Sequence, residues 1–278
     1  GDFNYWLDSP AKASNREDQV RLHSMLSLLS NGFLLPLVPY NPWVDIKEED
    51  ASIRLVEKAV DEFGCVGVKI YPPMGYYPYG NASSKLDSPE PRPKDLTLLD
   101  AKLAALYELC DSMKIPVMAH GNDSGGRDAA HDELAGPAGW AALQRKVPAL
   151  TRLFVNVGHF GGEHEHPSGD WTDRFVELMK REGRLRIYGD LGHWNELAAG
   201  STKVVEKLAR VLATRLPGNE TVADRVMYGS DWTILSREPQ WQSYPDAIAS
   251  IVRDMNLPEA TRKVFGENVL NCYGLSKA

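Results

Sequence analysis

The stretch IPVMAHGND (115–123) begins as an apolar run and ends abruptly on a histidine, a glycine and two polar side chains. A short apolar run without strict polar alternation is typical of a β-strand that is covered on both faces. His120 stands where that strand ends. The stretch therefore predicts a buried strand whose carboxyl end presents a histidine.

The same arrangement recurs along the chain: a helical segment, an apolar run, and then a polar or Gly/Pro-rich loop. The helical segments carry apolar residues three and four positions apart, as at Ile53, Val56, Val60 and Phe63. Strands that alternate with helices predict a parallel sheet of βα units, and no composition shift divides residues 1–278 into more than one domain. The apolar runs are FLLPLV (33–38), VGVKIY (66–71), IPVMA (115–119), LFVNV (153–157), LRIYG (185–189) and RVMYG (225–229).

Polar residues follow four successive runs at the point where each strand should end. They are His120, His159 in GHFGG, Asp190 and His193 in DLGHW, and Asp231 in GSDW. In parallel α/β proteins the ligand lies at the carboxyl ends of the strands. One histidine of this kind is more often a hydrogen-bonded structural residue than a ligand, but their shared placement predicts one common site.

Histidine together with carboxylate is a ligand set suited to Zn²⁺ or a similar divalent ion. Asp231 could bind the ion with one oxygen and take a proton from water with the other, or it could cap the following helix. His159 could stabilise a leaving group or act as a general base. We therefore expect His120, His159 and Asp231 as metal ligands, and Asp231 and His159 also as catalytic groups.

Lys69 lies inside the run VGVKIY, where an unpaired cation would be costly to bury. It pairs with a carboxylate, faces the site, bridges metal as a carbamate, or reaches solvent at the rim, and these alternatives stay open. Lys69, Tyr71, His193 and Trp232 are the candidate substrate contacts. The loop after Tyr71 is long and rich in Pro, Gly and Tyr, as lids and binding loops are. Its residues Tyr76, Tyr77 and Tyr79 favour, weakly, an aromatic or small cyclic carboxylate substrate.

The segment GGEHEHP (161–167) holds His164 and His166 at a spacing that puts both rings on one side of an extended strand. The flanking Gly-Gly and Pro indicate a loop instead. A surface loop is the favoured interpretation, with His164 and His166 as the weaker metal candidates. His23 and His131 are isolated, and we expect them at the surface.

Composition narrows the function classes. The net charge of −7 disfavours nucleic-acid binding, and no apolar stretch approaches the roughly 20 residues that span a bilayer. Cys65, Cys110 and Cys272 form no CxxC pair and are expected as buried free thiols in the cytoplasm. We expect a small-molecule substrate, neither a nucleic-acid nor a membrane partner, and a homodimer as one open oligomeric state.

The chain resembles the amidohydrolase-related metal-dependent hydrolases, the branch that also contains aminocarboxymuconate-semialdehyde decarboxylase. The resemblance rests on VGVKIYPP, IPVMAHGND, LFVNVGHFGG, RVMYGSDWT and VFGENVLNCYGL, in that order, and runs from about Phe33 to Leu275. It implies a TIM-like (β/α)₈ barrel with a mono- or binuclear metal site, Zn²⁺ being the expected ion. It also implies that His120, His159, Asp231 and Lys69 belong to its fifth, sixth, eighth and fourth strands.

One departure from the family is large, because its members open with an HxH pair on the first strand and no such strand precedes Phe33 here. The barrel is expected to lack its first strand, first helix and second strand in this chain, with residues 11–30 forming the helix after strand two. A fragment, strands supplied by another chain, and a degenerate barrel remain alternatives.

The resemblance implies a hydrolase that cleaves a C–N or C–O bond of a small carbonyl or lactone substrate through metal-activated water. One alternative is non-oxidative decarboxylation of a small carboxylate, including an aromatic one. Another is a non-catalytic barrel that has lost its metal site.

Overall fold

The computed structural model describes residues 15–83, 93–124, 128–146, 150–181, 183–255, 257 and 259–275. Among these residues, six strands stand in one sheet in the same order as in the chain. The pairs β1–β2, β2–β3 and β5–β6 are parallel, which confirms the predicted α/β architecture. The strands are β1 (Val38–Pro39), β2 (Val68–Ile70), β3 (Val117–His120), β4 (Leu153–Gly158), β5 (Leu185–Asp190) and β6 (Val226–Met227).

The first predicted strand, FLLPLV (33–38), is wrong over most of its length. Strand β1 starts only at Val38, and Phe33 is 88% exposed. Pro36 and Pro39 carry no N–H group, so this segment can donate few ladder hydrogen bonds. Val38 provides one of them, because its N–H donates to the carbonyl of Gly67 at 3.0 Å.

Helices occupy the segments between the strands, as the apolar spacing predicts. None of those in the described part of the chain combines the length and apolarity needed to cross a membrane. A π-helical turn, Lys263–Glu267, lies between the last two. The α-helices are α1 (Arg16–Leu29), α2 (Pro42–Lys47), α3 (Ala51–Phe63), α4 (Pro93–Met113), α5 (Ala129–Asp132), α6 (Pro137–Lys146), α7 (Trp171–Met179), α8 (Asn195–Ala198), α9 (Thr202–Leu212), α10 (Trp232–Leu235), α11 (Tyr244–Asp254), α12 (Ala260–Arg262) and α13 (Asn268–Cys272).

Side chains next to the helices set several helix ends. The Asn41 side chain accepts a hydrogen bond from the N–H of Trp43 at 3.0 Å and so caps α2, which opens on Pro42. At the C-terminal end of α3, Gly64 adopts a left-handed conformation with φ of 67°. A glycine accepts that conformation at little cost, so the helix stops there and the chain turns towards β2.

The chain divides into two compact units, Gly1–Phe154 and Val155–Ala278, and the boundary falls inside β4. In the first unit α3 packs on β1, and the inner face of α4 buries Leu99, Leu103 and Leu106 completely. In the second unit α7 packs on β5 and α9 packs on α7. The prediction of one domain over residues 1–278 stays a prediction.

Candidate functional site

In the first unit, the carboxyl ends of β2 and β3 bring three predicted site residues together. Lys69 is in register with Met118 on the neighbouring strand, and side chains alternate along strands, so Lys69 and His120 project from the same face. The ring centres of Tyr71 and His120 lie 4.6 Å apart, with the ring planes inclined by 37°. These strand ends therefore form a half-buried surface of imidazole, phenol and ammonium groups.

His120 is held in a defined orientation by the turn that follows it. The residue is only 7% exposed, and its Nε2 lies 3.1 Å from the carbonyl oxygen of Asp123. A carbonyl oxygen can only accept, so Nε2 carries the hydrogen in this contact. In a neutral imidazole Nδ1 then keeps the lone pair that could bind a metal ion.

The loop after Tyr71 is packed in its first half, which corrects the prediction of a lid for residues 72–83. Tyr76 is fully buried, and its hydroxyl oxygen accepts a hydrogen bond from the Tyr71 N–H at 3.0 Å. The Asp100 carboxylate accepts from the N–H groups of Gly80 and Asn81, each at 2.9 Å. Tyr76 thus fixes the loop instead of lining a pocket, because burial of its ring anchors the chain. Residues 84–92 lie outside the described residues.

In the second unit, three predicted residues meet around Gly192. A β-carbon at this glycine would lie 3.0 Å from Asp190 Oδ1, 3.5 Å from His159 Nδ1 and 3.6 Å from Asp231 Cβ. Asp190 is the last residue of β5, His159 directly follows β4, and Asp231 comes four residues after the end of β6. The close approach of their side chains to the backbone leaves room for glycine and for little else.

Asp190 is the hub of this arrangement. Its Oδ1 accepts hydrogen bonds from the N–H groups of His159 at 3.1 Å and Gly192 at 3.0 Å, and its Oδ2 accepts from Asn156 Nδ2 at 3.1 Å. The Asn156 amide also lies 3.2 Å from the hydroxyl of Tyr273. Sequence reasoning ranked Asp190 below its neighbours and did not find Asn156. A buried polar residue inside the apolar run LFVNV was the available signal.

His159 is oriented by the backbone on which it packs. Its Nδ1 lies 2.8 Å from the Gly192 carbonyl oxygen, so Nδ1 carries the hydrogen and the neutral ring has its lone pair on Nε2. The Trp194 indole N–H donates to the His159 carbonyl at 2.8 Å. The first contact fixes the tautomer of the ring and the second holds the backbone of His159, as a metal ligand or a general acid–base group needs.

Asp231 stands exposed in the left-handed conformation, with φ of 47°. Its side chain makes no N-cap hydrogen bond to α10, so the capping alternative does not describe it. Trp232 follows as the first residue of α10 and is 69% exposed. The structure thus leaves both side chains accessible beside Gly192, and a substrate role for Trp232 stays a prediction.

His193 belongs to the same neighbourhood. Partial burial lowers its pKa and the nearby His159 lowers it further, while the charges of Asp231 and Glu238 oppose the shift. Its Nε2 accepts a hydrogen bond from the Asn195 amide at 2.7 Å. Both features favour a neutral imidazole, a form that suits hydrogen bonding to substrate.

Four of the ten non-glycine residues that have positive φ in the described part of the chain lie at these positions. His159, Phe160, His193 and Asp231 all have positive φ, between 43° and 62°. Non-glycine residues in this region are uncommon and cost free energy, and they tend to persist at functional sites. The strain is an independent structural reason to regard the surroundings of Gly192 as the site.

The two histidines of GGEHEHP have different surroundings, although both are in a loop as predicted. His166 is buried, its ring stacks on Trp171 at 3.6 Å, and its Nε2 contacts the Gly161 carbonyl at 2.9 Å. His164 is exposed and groups with Glu163 and Glu196, whose ligand atoms all lie within 4.8 Å of one another. The metal roles of both histidines stay predictions.

Glu163 has the least exposed side chain of that cluster, 9% compared with 67% for His164 and 43% for Glu196. Burial raises its pKa to about 7, helped by the negative charge of Glu196 and opposed by backbone hydrogen bonds and Lys207. Within the described residues, this trio is the group of three that could hold an ion, and it does not include His159 or Asp231. Sequence reasoning did not single out Glu163 or Glu196.

The remaining histidines divide. His23 is exposed, as expected. His131 is not, because it is only 6% exposed and its Nδ1 lies 2.8 Å from the carboxylate of Asp128, which also caps α5. The capping carboxylate holds His131 inward, so the surface prediction for His131 is wrong.

Comparison with known proteins adds the family. A sequence model described as amidohydrolase matches residues 38–275, which is most of the chain. The chain belongs to the amidohydrolase family. A search of the curated proteins finds no match to the chain.

Solved structures agree with the fold. An uncharacterised TIM-barrel protein from Bordetella bronchiseptica has a TM-score of 0.56 and 14% identity, covering 93% of this chain and 73% of its own. A 2,6-dihydroxybenzoate decarboxylase from Rhizobium has a TM-score of 0.54 and 13% identity, and the match covers 94% of this chain and 77% of the decarboxylase. An amidohydrolase from Burkholderia multivorans has a TM-score of 0.52 and 12% identity, and the match covers 90% of this chain and 78% of that protein. The fold of this amidohydrolase-family chain is therefore of the TIM-barrel type, with six strands among its described residues where a complete barrel has eight.

The donor chemistry around Gly192 fits the divalent metal that the family implies. His159 presents an imidazole whose Nδ1–H donates to a backbone carbonyl, which is the usual support of a metal-binding histidine. Asp231 adds an accessible carboxylate beside it. Imidazole and carboxylate together suit Zn²⁺ and similar ions.

Proposed function

We propose that the chain is a metal-dependent hydrolase that cleaves a C–N or C–O bond of a small carbonyl or lactone substrate. The observation that carries this proposal is the meeting of His159, Asp190 and Asp231 around Gly192. An acid–base imidazole, a buried orienting carboxylate and an accessible carboxylate are the parts that hydrolysis requires.

His159 and Asp231 are the proposed metal ligands in the second unit. His120, in the first unit, stays a metal-ligand candidate on the sequence pattern alone, since it too stands at the end of a strand. A divalent ion bound there would supply Lewis acidity towards a substrate oxygen and would lower the pKa of water. The trio of Glu163, His164 and Glu196 is not part of this assignment.

The reaction can be followed through the side chains of the chain. The Asp231 carboxylate takes a proton from water as the water oxygen bonds to the carbonyl carbon. Cleavage of the C–N or C–O bond then releases the amine or alcohol, which takes up the proton that Asp231 gained. His159 Nε2, which carries a lone pair, would relay that proton when it is not bound to metal. Asp190 is a positioning residue, because its carboxylate accepts hydrogen bonds from the N–H groups of His159 and Gly192 and from the Asn156 amide.

Substrate contacts are proposed for Tyr71, Lys69, His193 and Trp232. Lys69 would attract a substrate carboxylate, and the neutral His193 would offer a hydrogen bond. The phenol ring of Tyr71 and the indole of Trp232 would cover apolar parts of a small substrate. We place the enzyme in the cytoplasm, because all three cysteines are free and buried, as in reducing compartments.

Decarboxylation is the second candidate. The aromatic face that Tyr71 presents beside His120 would suit a planar carboxylate, and one neighbour of similar fold is named as a decarboxylase of 2,6-dihydroxybenzoate. In that reaction the C–C bond to the carboxylate breaks, CO₂ leaves, and the ring carbon takes a proton from solvent, which His159 Nε2 would first accept and then deliver.

Isotope labelling separates the two reactions. The Zn²⁺-supplemented protein would be screened in H₂¹⁸O against small lactones, amides and hydroxybenzoates, with product mass and CO₂ release as readouts. We expect one ¹⁸O atom in the carboxylate product and no CO₂. Asp231→Asn and His159→Gln should each lower kcat on the order of 100-fold or more, because each removes an acid–base group.

The matched control is His164→Gln, which should leave kcat within about twofold because His164 lies in the other cluster. Asn tolerates positive φ, so Asp231→Asn keeps the backbone and tests the carboxylate alone. If the protein instead released CO₂ and the product took up deuterium at carbon in D₂O, the reaction would be decarboxylation and the hydrolase proposal would be wrong. Protein that binds no metal and turns over none of the substrates would favour the non-catalytic barrel and overturn both.

A further inference from the structure

Helix α1 is attached to its own unit by its charged side chains. Of its residues only Val20 is buried, so the helix contributes almost nothing to the apolar core. An isolated helix of this length is marginal in water. The contacts that hold it are Arg16 with Glu48, Glu17 with Lys58 at 2.8 Å, and the Arg21 guanidinium 5.3 Å from the ring centre of Phe63.

The apolar face of α1 points away from that attachment. Leu22, Met25, Leu26 and Leu29 recur at intervals of three and four residues and form one stripe along the helix. Amphipathic helices of globular proteins bury such a stripe, and here its members are 55%, 58%, 41% and 81% exposed. The exposed surface continues through Leu28 (78%), Phe33 (88%), Leu34 (49%) and Leu35 (47%).

We call this surface the α1 patch (Leu22–Leu35). Its exposed apolar area is as large as that of a protein–protein interface. If a large apolar residue exposes roughly 200 Å² when open to solvent, the eight residues expose on the order of 1,000 Å². The largest apolar patch on a monomer is usually about 300–600 Å². A stable protein interface takes about 800 Å² from each partner.

The chemistry of the patch favours a second copy of the chain as its occupant. From Leu22 to Leu35 the sequence has no Asp, Glu, Lys or Arg, so two identical patches can meet without like-charge repulsion. Of the nearby charges, Arg16, Glu17 and Arg21 pair within their own unit. Asp18 is exposed and lies one turn before Leu22, at the end of the stripe that is away from its middle. The lack of basic residues in the patch and the net charge of −7 disfavour an anionic membrane surface.

We infer that the α1 patch is the two-fold interface of a homodimer, in which the Leu22–Leu29 stripe packs antiparallel against the same stripe of a second copy. A two-fold axis makes the contact self-complementary and closes the assembly at two chains. Antiparallel helices also place opposite ends of their dipoles side by side. Met25 and Leu26, in the middle of the stripe, lie closest to the axis.

Sedimentation velocity of the full chain between about 1 and 100 µM tests the inference. We expect a dimer of the 30.9 kDa chain, and at least a tenfold higher dissociation constant for Leu29→Glu, because a charge would be buried at the interface. Gln240→Glu is the matched control, since it adds the same charge to an exposed residue of the second unit, outside the α1 patch. Unchanged far-UV circular dichroism shows that both variants fold.

Oxidative cross-linking gives a second readout. A Met25→Cys chain should form a disulfide-linked dimer, against a low background because the three native cysteines are buried. A monomer at every concentration, a dimer that Leu29→Glu leaves intact, or open-ended polymers would each overturn the inference. So would cofloatation of wild type, but not Leu29→Glu, with phosphatidylcholine–phosphatidylserine vesicles, since that would assign the patch to a membrane.

Discussion

At the residue scale, position 192 controls how closely the site can assemble. A β-carbon there would lie 3.0 Å from Asp190 Oδ1, closer than most real contacts, so the carboxylate would have to move. That movement would disturb the hydrogen bond from the His159 N–H. We expect Gly192→Ala to fold but to lose at least tenfold in kcat, measured by steady-state kinetics.

Gly266→Ala is the matched control for this change. A β-carbon at Gly266 meets nothing within 4 Å, and the residue lies in a helical turn where Ala is favoured by up to about 1 kcal/mol over Gly. This variant should keep kcat and lose no stability. Equal activity in both variants would show that the packing around Gly192 does not set the geometry of the site.

The sequence could indicate which residues stand at strand ends but not how they are held. His120, His159 and Asp231 were predictable because a polar residue directly after an apolar run is unusual. Asp190 was underrated, because its importance comes from three donors that the turns of the chain bring to it. His131 was misjudged for the same reason: only the folded chain places Asp128 against its ring.

At the scale of elements, Glu220 links the starts of two neighbouring strands. It pairs with Arg186 in β5, and its Oε2 accepts from Arg225, which directly precedes β6, at 2.6 and 2.8 Å. The Arg225 side chain is only 7% exposed. Glu220→Gln would leave that charge without its counter-ion, and we expect a loss of about 2 kcal/mol in the free energy of unfolding.

The same link predicts a pH dependence. Burial alone would raise the pKa of Glu220, but the hydrogen bonds and charges of Arg186 and Arg225 outweigh it and bring the pKa below the ordinary 4.5. A carboxyl with a lowered pKa stabilises the fold above its unfolded pKa and loses that contribution as the pH falls through the folded value. Urea unfolding from pH 7 to pH 3 should therefore show a shallower loss below about pH 4.5 in Glu220→Gln.

Glu177→Gln serves as the comparison, because the Glu177–Lys180 pair is exposed and such pairs contribute little. If both variants lost equal stability at pH 7, the burial of Arg225 would not matter.

Apolar periodicity predicted the strands that Glu220 links, since both are buried. It failed for FLLPLV, where Phe33, Leu34 and Leu35 are exposed and Pro36 has no N–H group to donate to a neighbouring strand.

At the scale of the whole molecule, metal binding should appear as stability. A ligand that binds only the folded state at a hundred times its dissociation constant adds about 2.7 kcal/mol. We expect the Tm of chelator-treated protein to rise by roughly 5 °C with excess Zn²⁺ in a scanning fluorimetry experiment. Asp231→Asn should lose most of the rise.

Glu196→Gln distinguishes the two clusters, because Glu196 belongs to the trio with Glu163 and His164. It should keep the Zn²⁺-dependent rise in Tm. If Glu196→Gln abolished the rise and Asp231→Asn did not, the ion would belong to the trio, and the metal assignment around Gly192 would fail.

The α/β class and the family were readable from sequence, because strand–helix alternation and strand-end motifs are local patterns that survive at low identity. The solved neighbours are only 12–14% identical, so the fold is kept while most side chains differ. The outward stripe of α1 was not foreseen. Its periodicity reads as an ordinary core face, and only the structure shows that the charged side is the one attached.

Two independent requirements limit which residues natural variation can place at position 231, namely a positive φ and a negative charge. The backbone accepts Gly, Asn or Asp with little penalty, and among these Asp alone carries a negative charge. A glycine would relieve the chain locally while removing the chemistry. We therefore expect laboratory selection for thermal tolerance alone to drift towards Gly or Asn at this position, and selection for turnover to restore Asp.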